Sequence, residues 1–530
     1  MSIPPVLLSG VKNESQDLHI TTDVLEPNVL NTNQAVFVIP KKASVLDSKS
    51  ALKVRINDTN YRNNADKMVG GKLFSGLLGM IKSARLYASG QLISDLRNAG
   101  EKIHLDNQFK SQEYKEQYCD VKHLSESGFA IAEGNTAGNS GVNGSILSAD
   151  EFNEFTAGAD NNTAPTLGNE PYFRGVGWAD GGSASTSTDT TGGNEGLEMF
   201  LLLEELFPML KDIQLPVRFM KDEIRIEIDW EQDKTKWLYV SSATADSTTS
   251  ANLAGVVISE AVMFLDYITY NPEIDASLEQ TIMTTGVSIP FRQTAIITKQ
   301  LPAIATDNTT DVSEDILLGQ EGRAVMKLYI AKKYPNTFTG ATGGSIENQA
   351  YTLQGECRSE RLKGEKFNCI VNDLLIYDRD VENNHEAYSY LSYAGEKPFV
   401  AYPDSFEENN NYNDSTTPAN MGGDPAIETL FISEDGTNDQ RVLGFKSATK
   451  GLVKNGIKGT QNWCAVDLSK YGNAINPANA MRIGSTPIIF RLKRSCADDA
   501  RTKGVVSITC FVEYLRLFDL RGGDLSVRDL

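Results

Sequence analysis

Histidine is scarce in this chain: four residues among 530, namely His19, His104, His123 and His385. No two stand at i+2, i+3 or i+4 and no HExxH occurs, so an imidazole-based metal centre has nothing to start from. Cysteine is sparse too, six scattered residues without a CxxC pair. Cys369 in FNCIV, Cys464 in NWCAV and Cys510 in ITCFV sit in apolar, strand-like surroundings, where a thiol behaves as a small hydrophobe. That usage fits a reducing compartment better than a disulfide framework. No run of about 18 apolar residues is present, GLLGMI from Gly76 being too short to span a bilayer. The opening MSIPPVLLSG lacks the basic and long apolar regions of a secretory signal. The expectation is a soluble protein assembled inside a cell, in which sequons such as Asn143-Gly144-Ser145 are chance matches.

Basic charge is also in deficit, with 50 Lys and Arg against 70 Asp and Glu, a net charge of −20 and a pI near 4.8. Such a surface repels duplex DNA, so sequence-specific nucleic-acid binding is not expected. The short basic pieces Lys41-Lys42, Lys332-Lys333 and RLKR from Arg491 read as solvated strand ends. Catalytic signatures are missing as well. There is no GxSxG elbow, and no GxxxxGK[ST] or GxGxxG follows a strand. VGGKLFSGLLG from Val69 has Asp66 where a P-loop needs its first glycine and reads as a flexible lead into a strand. The acidic pairs Glu204-Glu205, Asp378 with Asp380 and Asp498-Asp499 say little in so acidic a chain, since a glycosidase needs two carboxylates about 5 to 10 Å apart across a cleft. Phe264, Tyr267 and Tyr270 could stack sugars, yet at strand spacing they read as core. No catalytic, cofactor-binding or metal-ligating residue is assigned and no cofactor is expected; the chain is not read as an enzyme.

Strands are what the sequence does have. At 530 residues, 40% hydrophobic and 23% charged, it can bury a large core and is too long for one ordinary domain. In the first half the strand candidates are AVFVIP from Ala35, ALKVRIND from Ala51, SARLYAS from Ser83, LEMFLLL from Leu197, EIRIEIDW from Glu223 and VVISEAVMFLDYITY from Val256. In IRIEIDW, Ile224, Ile226, Ile228 and Trp230 share one face and Arg225, Glu227 and Asp229 the other, as a half-buried antiparallel strand requires. The second half offers VSIPFRQTAIIT from Val287, AVMKLYIAKK from Ala324, KFNCIVNDLLIYD from Lys366, ETLFIS from Glu428, NWCAVDL from Asn462, TPIIFRLKR from Thr486 and VVSITCFVEYLRLF from Val505. Helices are few: one within 99–124, polar, with His104 and His123 expected to face solvent, a shorter one from Asn383, and LEELFPML from Leu203.

These elements recur in order. LKVRI at Leu52 matches MKLYI at Met326, and hairpins turning at Ser89-Gly90 and Asn372-Asp373 follow, each with a polar helix behind it. Each half then ends on the same strand, FLDYI at Phe264 and FVEYL at Phe511. One β-sandwich is therefore made twice, with the join near 272–286. The segments 125–196, 334–351 and 401–428, rich in Gly, Ser, Thr and Asn, read as loops projecting from one end.

The ordered elements VFVIPKKASVLDSKSALKVRI, IKSARLYASGQLISDLRNAGE, IQLPVRFMKDEIRIEIDW, FLDYITYNPE, VNDLLIYDRDVENNHEAYSYL and FVEYLRLF resemble the double jelly-roll major capsid proteins of polinton-like viruses, virophages and large eukaryotic DNA viruses. The resemblance spans roughly Val36 to Phe518. It implies an all-β fold of two tandem eight-stranded antiparallel jelly rolls with a few short helices and long loop insertions. Its units would be an N-terminal arm at 1–34, a first jelly roll at 35–275 carrying insertion 125–196, and a second at 276–530 carrying 334–351 and 401–428. It further implies a homotrimer forming a pseudo-hexameric capsomer that tiles an icosahedral shell in the virion. Its partners would be neighbouring capsomers, penton and minor capsid proteins, with the outer loops open to a host receptor. The competing expectation is a tandem β-sandwich carbohydrate-binding or adhesin module.

Overall fold

The computed structural model describes residues 19–42, 45–58, 67–71, 76–88, 90–107, 129–132, 197–221, 223–242, 256–305, 307–333, 365–382, 431–433, 440–442, 465–469, 480–494 and 505–530. In its first half eight strands matter: β1 (His19–Leu25), β2 (Gln34–Ile39), β3 (Ala51–Asp58), β4 (Ile81–Ala88), β5 (Gln91–Arg97), β6 (Leu197–Leu202), β7 (Ile224–Trp230) and β8 (Val256–Thr269). They form two antiparallel sheets, ordered β1-β8-β3-β6 and β2-β7-β4-β5. The second half contributes β9 (Val287–Leu301), β10 (Val312–Gly319), β11 (Ala324–Lys333), β12 (Lys366–Val371), β13 (Leu374–Leu375), β14 (Ala465–Asp467), β15 (Ile488–Arg494) and β16 (Val506–Arg521). Their sheets run β9-β16-β11-β14 and β10-β15-β12-β13. Adding eight to each label of the first pair of sheets produces the second pair. The duplication is thus a repeat of topology, and a chain that alternates between two four-stranded sheets in this way is a jelly roll.

Side-chain alternation makes each roll a sandwich. On β7, Ile224, Ile226, Ile228 and Trp230 are buried, whereas Arg225 is exposed and Glu227 and Asp229 are half-buried. Phe37, Leu86 and Ile226 from one sheet meet Leu52, Val54, Met263 and Leu265 from the other in the first core. The second core joins Leu328, Ile330, Ile508 and Val512 to Cys369, Phe490 and Leu492. The two closing strands obey the same facing rule: Leu265 and Tyr267 point into their core, as Val512 and Tyr514 do into theirs. Their cross-strand register differs, however, with Phe264 opposite Ala51 and Phe511 opposite Tyr329. The hairpin turns form as expected, Gly90 at φ 71° and Asn372 and Asp373 at 50° and 65°, the left-handed conformation that tight turns demand.

Several expectations are corrected. The supposed arm at 1–34 contains β1, which pairs residue for residue with β8 from His19 opposite Thr269 to Leu25 opposite Met263, so the first sheet starts before Ala35. The join is a helix, Pro272–Thr284, whose Asn271 side chain accepts the Glu273 N–H at 3.1 Å and whose Leu278 and Ile282 enter the first core. Asn before Pro is a strong helix start, because it caps one orphan N–H and pre-sets φ at the next residue. VGGKLFSGLLG begins in the strand Lys67–Gly71 and ends in the helix Gly76–Met80, whose Leu77, Leu78 and Met80 are buried, with 72–75 outside the described residues. Phe129–Ala132, inside the first loop insertion, is a strand paired with Lys67–Gly71. LEELFPML becomes one helical turn, Leu203–Leu206, and a tighter one, Pro208–Lys211. Of the helix expected within 99–124, α1 (Ala99–Asn107) is described. The remainder of that segment, the helix from Asn383, Cys464, most of 125–196 and the insertions 334–351 and 401–428 lie outside the described residues.

Candidate functional site

The two rolls meet along a seam, and the chemistry of the molecule concentrates there. β5, α1 and Pro208–Lys211 of the first roll cover the outer face of the β9-β16-β11 sheet of the second. The first core runs on beneath the seam, taking in Val287, Ile289, Phe291, Phe518 and Leu520. Residue by residue α1 looks polar, yet every residue in it but Asp106 is buried. Ile103 packs into the first core, while Leu105 packs with Tyr329, Ala331 and Phe511 of the second roll. This corrects the expectation for His104, which is buried rather than facing solvent, because α1 lies between two sandwiches. His123 lies outside the described residues.

Lys102 stands at the centre of this contact. Its ammonium lies 2.6 Å from Asp106 on its own helix, 2.6 Å from Glu513 on β16 and 4.4 Å from the centre of the Tyr329 ring. Burial alone would push the Glu513 carboxyl up, but the Lys102 ammonium, with Lys327 and Arg292 beyond it, outweighs that and holds it at about 2. Burial likewise presses Lys102 down, and Asp106 and Glu513 together raise it. Around the rim, the Arg292 guanidinium grips both oxygens of Asp212 at 3.0 and 2.9 Å. Gln293 donates to the Asp95 carbonyl at 3.2 Å and Arg516 to the Ile93 carbonyl at 3.3 Å. A cleft of about 240 Å³ opens at one end, lined among others by Glu101, Glu231, Lys236, Thr298, Ser507 and Thr509. No histidine or cysteine lines it.

Other groups singled out in the sequence are spread over the fold. Among the described residues no three His, Cys, Asp or Glu come together as metal ligands, and no helix is long and apolar enough to cross a membrane. Glu204 pairs with Lys49 at 3.2 Å and Asp380 with Lys493, while Asp498 and Asp499 lie outside the described residues. Cys369 and Cys510 are buried in the second core. Tyr267 and Tyr270 are buried in the core as expected, whereas Phe264 is half-buried on the opposite face of the strand, packed on Phe200 with ring centres 6.0 Å apart. Two of the basic pieces prove different from expectation. Lys332 is buried against Glu365, and Arg494 is buried, donating to Glu314 and to the Pro302 carbonyl at 2.8 Å each. Each strand-end cation found a carboxylate on a neighbouring segment, which offsets the desolvation that solvent exposure would have avoided. Lys41 and Lys42 are exposed.

The surfaces away from the seam fall into two kinds. The outer face of the β2-β7-β4-β5 sheet is an ion-paired ladder: Arg85 reaches Asp229 at 2.6 Å and Glu227 at 3.6 Å, and Arg225 lies 4.8 Å over Tyr87. Its counterpart in the second roll pairs Arg491 with both oxygens of Asp315 at 2.7 and 2.9 Å. Among the described residues large apolar side chains also stand exposed, Leu317 among them, and β1 and β13 each carry a pair. On β1 Ile20 is 51% and Val24 61% exposed, and on β13 Leu374 is 71% and Leu375 52% exposed. Internal symmetry gives these strips their meaning. β9, the counterpart of β1, is covered by the first roll; β5, the counterpart of β13, is covered in part by the second. β1 is exposed where β9 is covered, whereas Gln91 and Leu92 of β5, which match Leu374 and Leu375, are exposed too and only the later part of β5 is buried.

No protein-family model and no curated protein matches the sequence. Solved structures do match along nearly its whole length. The Faustovirus major capsid protein superposes with a TM-score of 0.52 at 10% identity, over 96% of this chain and 92% of that one. The structure of the Sputnik virophage gives 0.51 at 11% identity, over 100% and 92%. VP54 of the virus PBCV-1, fitted into a reconstruction of Sputnik, gives 0.50 at 10% identity, over 98% of both chains. With sixteen strands in two repeated pairs of sheets, the chain has the double jelly-roll fold of viral major capsid proteins.

Proposed function

We propose that the chain is the major capsid protein of a DNA virus, a structural protein and not an enzyme, located in the virion shell. The observation that carries the reading is the pair of bare strips. Two rolls in series, with β9 of the second covered by the first and its counterpart β1 exposed, form a head-to-tail building block. Repeating the seam contact between chains sets β1 of one copy against the β12-β13 hairpin of the next. Three copies then supply six rolls for a closed pseudo-hexameric ring. Stable oligomers of this kind bury more than about 2,000 Å² per interface, largely apolar at the centre, and the exposed Ile20, Val24, Leu374 and Leu375 suit such a centre.

On this reading the units are a first roll to residue 275, with β1 joined to it, and a second from 276. The ion-paired outer sheets suit weaker, salt-sensitive contacts between capsomers of an icosahedral shell and with penton and minor capsid proteins. Light scattering during size exclusion, together with negative-stain microscopy of the purified chain, tests the proposal. Hexagonal particles at three times the 58.0 kDa chain mass are expected. A monodisperse monomer at all protein and salt concentrations would overturn it.

A further inference from the structure

The centre of the seam is an apolar cluster of Leu105, Tyr329, Ala331 and Phe511 with Ile296 beside it, and into it a single helix pushes an ammonium group. We propose that Lys102 is the positioning residue of the seam, fixing the register of the first roll on the second so that a ring of chains can close; the inference rests on the capsomer reading above. Side chains facing outward from β16 alternate along the strand as Thr509, Phe511, Glu513 and Leu515, because successive residues point to opposite faces. A slip of two residues, about 7 Å along the strand, would bring Lys102 against Phe511 or Leu515 and leave the buried ammonium with Asp106 alone and no carboxylate on the β16 side. Apolar contacts alone would tolerate that slip, since Phe, Leu and Tyr exchange at little cost when volume is conserved. Arg292, Lys327 and Tyr329 from the second roll and Asp106 from α1 face the same centre, and none of them supplies a second carboxylate on the β16 side. A head-to-tail interface closes into a ring at one rotation per step and runs on as an open polymer at others, so register in the seam decides closure. Buried charges that specify register at little or negative benefit to stability are the best-attested use of such groups.

The variant Lys102→Met keeps the volume and the apolar stem, and Glu513 retains Lys327 and Arg292 nearby. Three readouts separate positioning from mere stabilisation. The urea midpoint of the double variant Lys102→Met with Glu513→Leu, which removes both buried charges, should equal or exceed that of the parent. In Lys102→Met, closed hexagonal particles should be lost in favour of a heterogeneous series of oligomers. The distance distribution between spin labels carried on unnatural side chains at the exposed positions Glu223 and Leu317, one in each roll, should broaden by electron–electron resonance. Lys102→Arg, which keeps the cation, should leave the distribution narrow, and Glu513→Gln, which removes charge from the other wall, should broaden it. A distribution as narrow as the parent's in Lys102→Met, or in Glu513→Gln should the Met variant not fold, overturns the proposal. Were the parent itself monomeric, the capsomer reading would fall while the distance measurement on that monomer still decided whether Lys102 sets the register.

Discussion

Glu513 gives the seam a pH dependence that can be worked out. Its carboxyl titrates at about 2 in the folded chain against an ordinary 4.5. The unfolded chain therefore takes up the proton more readily, so the stabilisation is complete above about pH 4.5 and is lost as pH falls toward 2. A depression of this size corresponds to on the order of 3 kcal/mol. Urea denaturation followed between about pH 5 and pH 2 should show that loss, and Glu513→Gln should flatten the slope in that range. Beside it, Phe511→Ala should cost about 3 to 5 kcal/mol, the usual penalty for emptying a buried aromatic site, read as a lower urea midpoint. The charge states of these residues were not legible in the sequence. Lys102 and Glu513 are 411 residues apart, and nothing local in AGEKIHLDN tells a solvated helix from one clamped between two sandwiches. His104, Lys332 and Arg494 escaped the sequence for the same reason: the group that buries or pairs with each comes from elsewhere in the chain.

At the level of elements, legibility followed burial. β7 could be read directly because one face is core and the other solvent, and that contrast is written as a period of two in IRIEIDW. β1 could not, since its residues are exposed or half-buried on both faces and HITTDVL carries no alternation. The helix Pro272–Thr284 has a start signal in Asn271-Pro272, but with Leu278 and Ile282 as its buried apolar residues it carries too short an apolar stripe to stand out from the join around it. Its cap offers a test, because Asn271→Ala should lower stability by about 1 kcal/mol, detectable as a lower thermal midpoint. The β12-β13 turn offers another. Asp373 sits at φ 65°, so Asp373→Gly should be neutral or slightly stabilising, whereas a β-branched Asp373→Val should cost about 1 to 2 kcal/mol in denaturant titrations.

For the molecule as a whole, the bare strips make a prediction about association rather than folding. Val24→Asp and Leu374→Asp each place a charge on an already exposed position, so thermal midpoints of the separated monomers should stay within about 0.5 kcal/mol equivalent of the parent. Either change alone should abolish the trimer peak in size exclusion, because in a head-to-tail contact the two positions lie on opposite sides of the same interface. The repeated order of strands was legible along the chain, since it is written twice; which faces remain bare was not, because that depends on how one copy of the design lies against the other. The order of strands within each sheet carries a further consequence. β8 and β16 come late in their rolls, and each sits between two earlier strands, β1 and β3 or β9 and β11; after β16 comes the strand Asp524–Asp529, which pairs back onto it. A nascent chain therefore holds each sheet open at its middle until that late strand emerges from the ribosome. On the proposed capsid role, a chain cut short before β16 would lack the strand that closes its second sheet and should fail to enter a shell.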